Sequence, residues 1–394
     1  MLTRESAELV RATLPVVGAA IEEIATRFYQ GMFADNPELL RDLFNRGNQA
    51  AGTQRKALAG SIAAYAGMLV NGERPETLLS RIAHKHASLG IRPDQYDLVH
   101  KYLFAAIAEV LGDALTPEIA AAWDEVYWHM AESLIAVEAD LYARAGREPL
   151  RATVVARHAE TDEVVSLLLR PQGGPVHFRP GQYISVQVPL PDGARQIRQY
   201  SLSRAPERGD WRISVKRLPG GPTPAGEVSA WLHDHVVPGD TLTVSAPFGD
   251  LTLPPGEGPL LLASAGIGVT PILAMVDHLA ATGSTRQVIV AHADRSPARH
   301  PHRAELAHLV AALPGAGLHL WYEEPGAGTG HRTGLMDLAG VELPANVTAC
   351  LCGPLPFMRS VRAGLLDRGV PARDVHYEVF GPDLWLAGDR AAAG

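Results

Sequence analysis

Cysteine is almost absent. Of 394 residues two are cysteines, Cys350 and Cys352. That excludes a disulfide framework, fits a reduced cytoplasmic compartment, and leaves too few thiolates for an iron–sulfur cluster held by four cysteines. An excess of positive charge is also lacking. Lys and Arg number 35 against 43 Asp and Glu, a net charge of −8. The basic residues are scattered, so neither nucleic acid nor an anionic membrane is an expected partner. No apolar run reaches the roughly 18 residues of a spanning helix. Met1-Leu2-Thr3-Arg4-Glu5-Ser6 has no apolar core of a signal peptide. Over the first 146 residues, strand signals are missing as well.

What is present is ordinary globular protein, 46% hydrophobic and 20% charged. The length predicts two or three domains. The first 146 residues repeat their apolar positions every three to four, as in Ile21, Ile24, Ala25, Phe28 and Met32, and in Leu79, Ile82 and Ala83. Breaks fall at Asn36-Pro37, Asn71-Gly72, Arg92-Pro93 and Thr116-Pro117. The expectation is a compact all-α domain. His86 continues the stripe of Leu79 and Ala83 and so faces the core. A lone core histidine is more often hydrogen-bonded structure than a ligand, and the pattern alone leaves both readings open. Tyr29 and Gln54 also fall on inward faces. Glu138 follows Leu134 by one turn and, if buried, needs a donor, which Tyr96 could supply. A solvated helix face is the competing reading for Glu138, because Ala136 and Val137 blur the stripe.

Ala145-Gly146-Arg147-Glu148-Pro149 changes the texture. Strand-like runs at 150–157, 164–170, 183–188, 197–202 and 211–217, parted by turn signals, predict a small antiparallel barrel over residues 147–256. Arg198 and Tyr200 share a strand face, and Ser201 follows; together they can grip an anionic, ring-bearing ligand. An ordinary barrel strand is the competing reading. Gly226, Val228 and Ser229 start a helix whose amides suit a pyrophosphate, with plain capping by Ser229 as the alternative. From residue 257 to 394 strands and helices alternate, which predicts a parallel sheet with helices on both faces. Gly266-Ile267-Gly268-Val269-Thr270-Pro271 ends a strand and opens a helix, the context a phosphate-binding turn requires. Cys352-Gly353-Pro354 ends a later strand. Asp294-Arg295 sets an acidic group, which selects ribose hydroxyls, beside a base that accepts a ribose phosphate. The tail after Leu386 reads as disordered.

Pro180-Gly181-Gln182-Tyr183, then Arg198-Gln199-Tyr200-Ser201, then the glycine turn, resemble the ferredoxin–NADP reductase family. Arg27-Phe28-Tyr29, Leu43-Phe44-Asn45, Gln54-Arg55-Lys56-Ala57-Leu58 and Lys85-His86 resemble a bacterial globin. In this order, over about residues 1–386, the chain resembles the flavohaemoglobins. The resemblance implies three domains: an all-α globin, an FAD-binding antiparallel barrel and an α/β nicotinamide-binding domain. It implies haem b held through iron by His86, with Tyr96 and Glu138 as a relay behind it. Tyr29, Phe44, Gln54 and Leu58 would line the distal side, and Lys85 would tune the haem potential. Tyr183, Arg198, Gln199, Tyr200, Ser201, Gly226, Val228 and Ser229 would hold FAD. The turn from Gly266 to Pro271 and Cys352, Gly353 and Pro354 would hold NADH, with NADPH left open. Val379, Phe380, Gly381 and Pro382 would cover the flavin, and Glu378 would adjust its potential. The implied activity is oxidation of NO by O2 to nitrate in a cytoplasmic monomer. Competing readings are a haem-dependent peroxide or lipid hydroperoxide reductase, an oxygen or NO sensor, and a flavin reductase with a helical docking domain.

Overall fold

A computed structural model describes residues 2–174, 176–221, 224–324, 326 and 330–382; the tail after Leu386 lies outside them. Seven helices come first: α1 (Arg4–Asp35), α2 (Pro37–Asp42), α3 (Arg46–Ala50), α4 (Thr53–Asn71), α5 (Glu76–Ser88), α6 (Asp94–Leu111) and α7 (Pro117–Ala145). Each break foreseen from sequence is a helix boundary with a physical cause. Pro37 and Pro117 open helices where no amide donor is needed. Gly72 closes α4 at φ 70°, a left-handed cap. The Thr3 and Thr116 hydroxyls accept from the amides of Ser6 and Ile119, capping α1 and α7. The short α3 was not foreseen. Asn45 starts it by accepting from the Asn48 amide at 3.2 Å. α1 packs on α4, α6 and α7, and α5 packs on α7, around a core that includes Phe28, Tyr29, Tyr65, Leu103 and Trp123.

The next part holds β1 (Leu150–Thr161), β2 (Val164–Pro171), β3 (Tyr183–Pro189), β4 (Arg195–Ser201), β5 (Trp211–Lys216), α8 (Glu227–His235) and β6 (Thr241–Val244). The strands pair antiparallel in the order β4-β3-β6-β1-β2-β5, and the Leu202–Ile213 bridge joins the two ends into a barrel. The four-residue β6 was missed in the sequence. It is too short to show an alternation, yet it sits between β1 and β3 and is needed to close the sheet.

The last part is β7 (Leu260–Ala265), α9 (Val269–Ala281), β8 (Val288–Asp294), α10 (Arg303–Ala311), β9 (Ala316–Tyr322), β10 (Arg332–Thr333), β11 (Thr348–Cys352), α11 (Leu355–Asp367) and β12 (Val375–Glu378). All its pairs are parallel, in the order β10-β9-β8-β7-β11-β12. The strand order reverses between β7 and β11, and ligands of open parallel sheets bind at such a crevice. Gly266 and Gly353 follow those two strands.

The three parts are joined by specific contacts. Ala87 of α5 packs with Tyr183, Ala246 and Phe248 of the barrel. Asp277 of α9, 2% exposed, accepts from Arg208 at 2.8 Å and from the Ala205 amide at 2.8 Å, which fixes the barrel to the parallel sheet. Among the described residues no helix is long and apolar enough to cross a membrane.

Candidate functional site

On α5, Leu79 and Ala83 are buried, but His86 on the same stripe has a side chain 31% exposed rather than enclosed. One edge of its ring is fixed from behind. Nδ1 lies 2.8 Å from Glu138 Oε1 and 2.9 Å from the Tyr96 hydroxyl, which itself donates to Glu138 Oε1 at 2.5 Å. Glu138 is 2% exposed, so the solvated-face reading fails. Burial, and then the Glu138 charge, raise the Tyr96 hydroxyl far above its ordinary range and keep it a donor. An Nδ1–H donating to a carboxylate leaves Nε2 with the lone pair, the arrangement of a metal-binding imidazole. Among the described residues no cluster of three or more His, Cys, Asp or Glu could hold a bare metal ion. The donor set suits one axial ligand to an iron already held in a macrocycle.

Tyr29 comes from α1 and is buried in the helical core. Its ring lies 5.5 Å from Phe33, nearly stacked, and 5.8 Å from Phe44, edge-on. Burial raises its hydroxyl above its ordinary range, and the side chains of Gln54 and Gln49 beside it pull the other way. Tyr29 is therefore a neutral donor at physiological pH. Leu58 packs against the same core. Gln49 was missed in the sequence; its buried amide lies beside the Tyr29 hydroxyl. Its proximity depends on α3, which is too short for a periodic signal.

α5 also reaches the other parts of the chain. Lys85 Nζ donates to the Gly381 carbonyl at 2.7 Å, and Arg81 lies over the Tyr377 ring at 4.1 Å. The Gly249 amide donates to His84 Nδ1 at 2.9 Å. The residue before His86 thus holds the segment that follows β12. Phe380 there is 46% exposed, available to cover a ring.

On β4, Arg198 donates from Nη1 to Gln196 Oε1 at 3.0 Å and to the Ile197 carbonyl at 2.7 Å, and from Nη2 to Asn45 Oδ1 at 2.9 Å. Burial lowers its pKa. Its hydrogen-bond acceptors are neutral and Glu227 acts on it only through charge, so the part-buried cation can take an anionic ligand. Ser201 Oγ is buried with no partner, which fits a hydrogen bond to a ring edge. Tyr200 is packed against the barrel core, and Gln199 Nε2 donates to Ser185 Oγ at 3.2 Å. Tyr183 is hydrogen-bonded to Ser88 and has its hydroxyl raised by burial and by the Glu378 charge. The structure thus brings Tyr183, Ser201 and Glu378 to the junction of α5, the barrel and β12.

The start of α8 differs from the sequence expectation. Ser229 Oγ donates to the Gly226 carbonyl at 2.9 Å and accepts from the Leu218 amide at 3.3 Å, so its hydroxyl holds the loop. Gly226, not Ser229, is the cap. The Val228 side chain lies in the barrel core, leaving only its amide for a phosphate.

At the crevice, Gly266 has φ 53° and Gly268 lies against the end of β11. A Cβ on Gly268 would stand 2.2 Å from the Cys352 carbonyl oxygen. Glycine is required there because two backbones touch. Thr270 donates to the Ile267 carbonyl at 3.0 Å, and Pro271 lies in the first turn of α9. Burial raises the Cys352 thiol well above its ordinary range, so it is no nucleophile. Pro354 caps α11. Asp294, the last residue of β8, is turned inward, with Oδ2 3.7 Å from His292 Nε2 and its side chain 7% exposed. Burial raises the Asp294 carboxyl. It is poorly placed to take ribose hydroxyls.

Three family descriptions match the chain in this order: Globin at residues 26–134, Oxidoreductase FAD-binding domain at 154–253 and Oxidoreductase NAD-binding domain at 262–363. A flavohemoprotein of Rhizobium meliloti is 40% identical over 98% of this chain and 100% of its own length. One from Bordetella pertussis is 42% identical over 97% and 99%. Among solved structures, a flavohemoglobin from Malassezia yamatoensis with bound FAD and heme superposes with a TM-score of 0.88 at 39% identity, covering 96% of this chain and all of that one. The FAD/NAD-binding domain of a Vibrio cholerae nitric oxide dioxygenase matches 60% of this chain at 38% identity, with a TM-score of 0.56. Relatives this similar over nearly the full length of both chains make the protein a member of the flavohemoprotein family, a globin joined to an FAD- and NAD-binding oxidoreductase.

Proposed function

We propose that the protein is an NAD(P)H-dependent nitric oxide dioxygenase. Residues 1–146 form the haem domain, 147–256 the FAD domain and 257–394 the nicotinamide domain. The observation that carries the reading is the His86–Glu138–Tyr96 relay on the same chain as a complete nicotinamide-to-flavin reductase fold. Haem and FAD, when bound, would supply the redox chemistry by which NAD(P)H drives oxidation of NO by O2 to nitrate. The residues do the rest. Glu138 holds the His86 proton at Nδ1 and makes Nε2 a more basic ligand, which favours activation of O2 over storage. Tyr29 directs its hydroxyl proton at the distal ligand, and Phe44, Gln54 and Leu58 shape that side. Arg198 neutralises the FAD pyrophosphate, Ser201 meets the ring edge, and Phe380 covers it. Gly268 lets the dinucleotide approach the crevice. Because Asp294 points inward, Arg295 is the exposed group at the ribose end, and NADPH competes with NADH more than the family resemblance implies.

Joining NO and O2 into nitrate consumes one electron, and NAD(P)H carries two. Stopped-flow mixing of the reduced protein with O2 and NO should therefore yield two nitrates for each nicotinamide oxidised. Nicotinamide oxidation that leaves NO unconsumed would remove the dioxygenase reading and leave a flavohemoprotein of other function.

A further inference from the structure

The distal wall of the helical domain and the anion site of the barrel share two amide side chains. Gln196 is fully buried on β4, two residues before Arg198 and on the same strand face. Its Oε1 accepts from Arg198 Nη1 at 3.0 Å. Its Nε2 faces three carbonyls of the helical domain, those of Arg41 at 2.8 Å and of Leu40 and Phe44 at 3.2 Å. Leu40 and Arg41 belong to the last turn of α2, whose carbonyls have no partner within the helix. Gln196 therefore closes α2 and fixes the backbone of Phe44, the ring edge-on to Tyr29.

Asn45 is the second link. Its Oδ1 accepts from Asn48 N, which caps α3, and from Arg198 Nη2. A single amide oxygen thus serves two donors on two domains. The helix it caps carries Gln49, beside the Tyr29 hydroxyl. α3 cannot drift freely, since Arg46 is paired with Asp192 at 2.5 Å and with Glu227 at 2.6 Å on the barrel.

We propose that Asn45 and Gln196 are positioning residues that couple dinucleotide occupancy at Arg198 to ligand binding on the distal side of the haem pocket. The inference rests on Arg198 being the FAD phosphate anchor. A phosphate at Arg198 draws its Nη groups toward charge-assisted bonds, which are stronger than those to neutral amides. Asn45 Oδ1 is then left to the Asn48 amide, α3 is capped more firmly, and Gln49 and Tyr29 are held in place. FAD-loaded protein binds a hydrogen-bond-accepting haem ligand more tightly than flavin-stripped protein does. By linkage, that ligand tightens FAD by the same factor.

Azide on the fully oxidised protein tests this without any electron transfer. Visible titration gives azide affinity with and without FAD, and flavin fluorescence gives FAD affinity with and without azide. We expect both ratios to agree at about fivefold or more. Gln196→Leu and Asn45→Ala should bring them to unity. Asn45→Ser keeps a good helix cap but is too short to reach Arg198; it should fold as the parent does and still lose the coupling. A ratio of one in the parent protein, or the parent ratio retained in Asn45→Ser and Gln196→Leu, overturns the proposal. Arg198→Leu separates the two levels. Undiminished FAD affinity in that variant overturns the anchor reading and the coupling with it. Lost FAD affinity beside a parent ratio of one overturns the coupling alone.

Discussion

Tyr29 shows what one hydroxyl is expected to do. Tyr29→Phe removes a donor and almost no volume from a buried site. A hydrogen bond to a partly charged acceptor is worth about 1.5–3 kcal/mol, so bound O2 should leave roughly ten- to hundredfold faster. Stopped-flow O2 release on both proteins checks this, and unchanged release in a folded variant would remove Tyr29 from the distal set. Another residue-scale expectation concerns acid. His292 and His300 stack at 3.9 Å, and burial lowers their pKa values to about 3 and about 2. In the unfolded chain both take up a proton near pH 6.5, and in the folded chain neither does. The unfolded state thus binds more protons below that pH, and stability is lost as pH falls from about 6.5 toward 3. The slope is at most about 1.4 kcal/mol per pH unit for each histidine. Unfolding midpoints of the nicotinamide part at pH 7 and pH 5 should differ, and by less after His292→Gln. An equal acid loss in that variant would show that carboxylates set the slope.

At the scale of elements, the glycine turn before α9 gives the sharpest substitution. Gly268→Ala drives a Cβ into the Cys352 carbonyl, which is backbone and cannot swing aside. The turn before α9 and the end of β11 must part, which costs on the order of 1–3 kcal/mol. Hydride transfer from NADH to the flavin should slow by at least about tenfold, with haem content unaltered; rapid flavin bleaching on mixing with NADH would report it. This turn was legible in the sequence because its glycines sit between a strand and a helix. The helices of the first part were legible through their spacing and their prolines. α3 and β6 were not, since neither is long enough to repeat an apolar position. Gln196 could have been found: it lies two residues before Arg198 and so on the same face. Asp277 could not, because its partners Arg208 and Ala205 are about seventy residues away and only packing brings them together. The role of Ser229 stayed open because composition does not tell a free hydroxyl from one tied to Leu218 and Gly226.

For the whole molecule, the division of labour can be cut apart. Residues 1–146 alone should bind haem, since His86, Glu138, Tyr96 and Tyr29 all lie within them, and should stay oxidised in anaerobic NADH. Prompt reduction of that fragment, followed by its visible spectrum, would contradict the domain assignment. In the intact chain Lys85 meets Gly381, a contact between a segment made early and one made late. At about 5–20 residues per second, a ribosome needs roughly fifteen seconds to a minute to travel from one to the other. During that interval the nascent helical part can already fold and take up its prosthetic group. Its contacts with the barrel, at Gln196, Arg198 and Gly249, can form earlier, but the Lys85–Gly381 contact comes later, so a chain stalled in between would carry a gas-binding centre without its tie to the segment after β12.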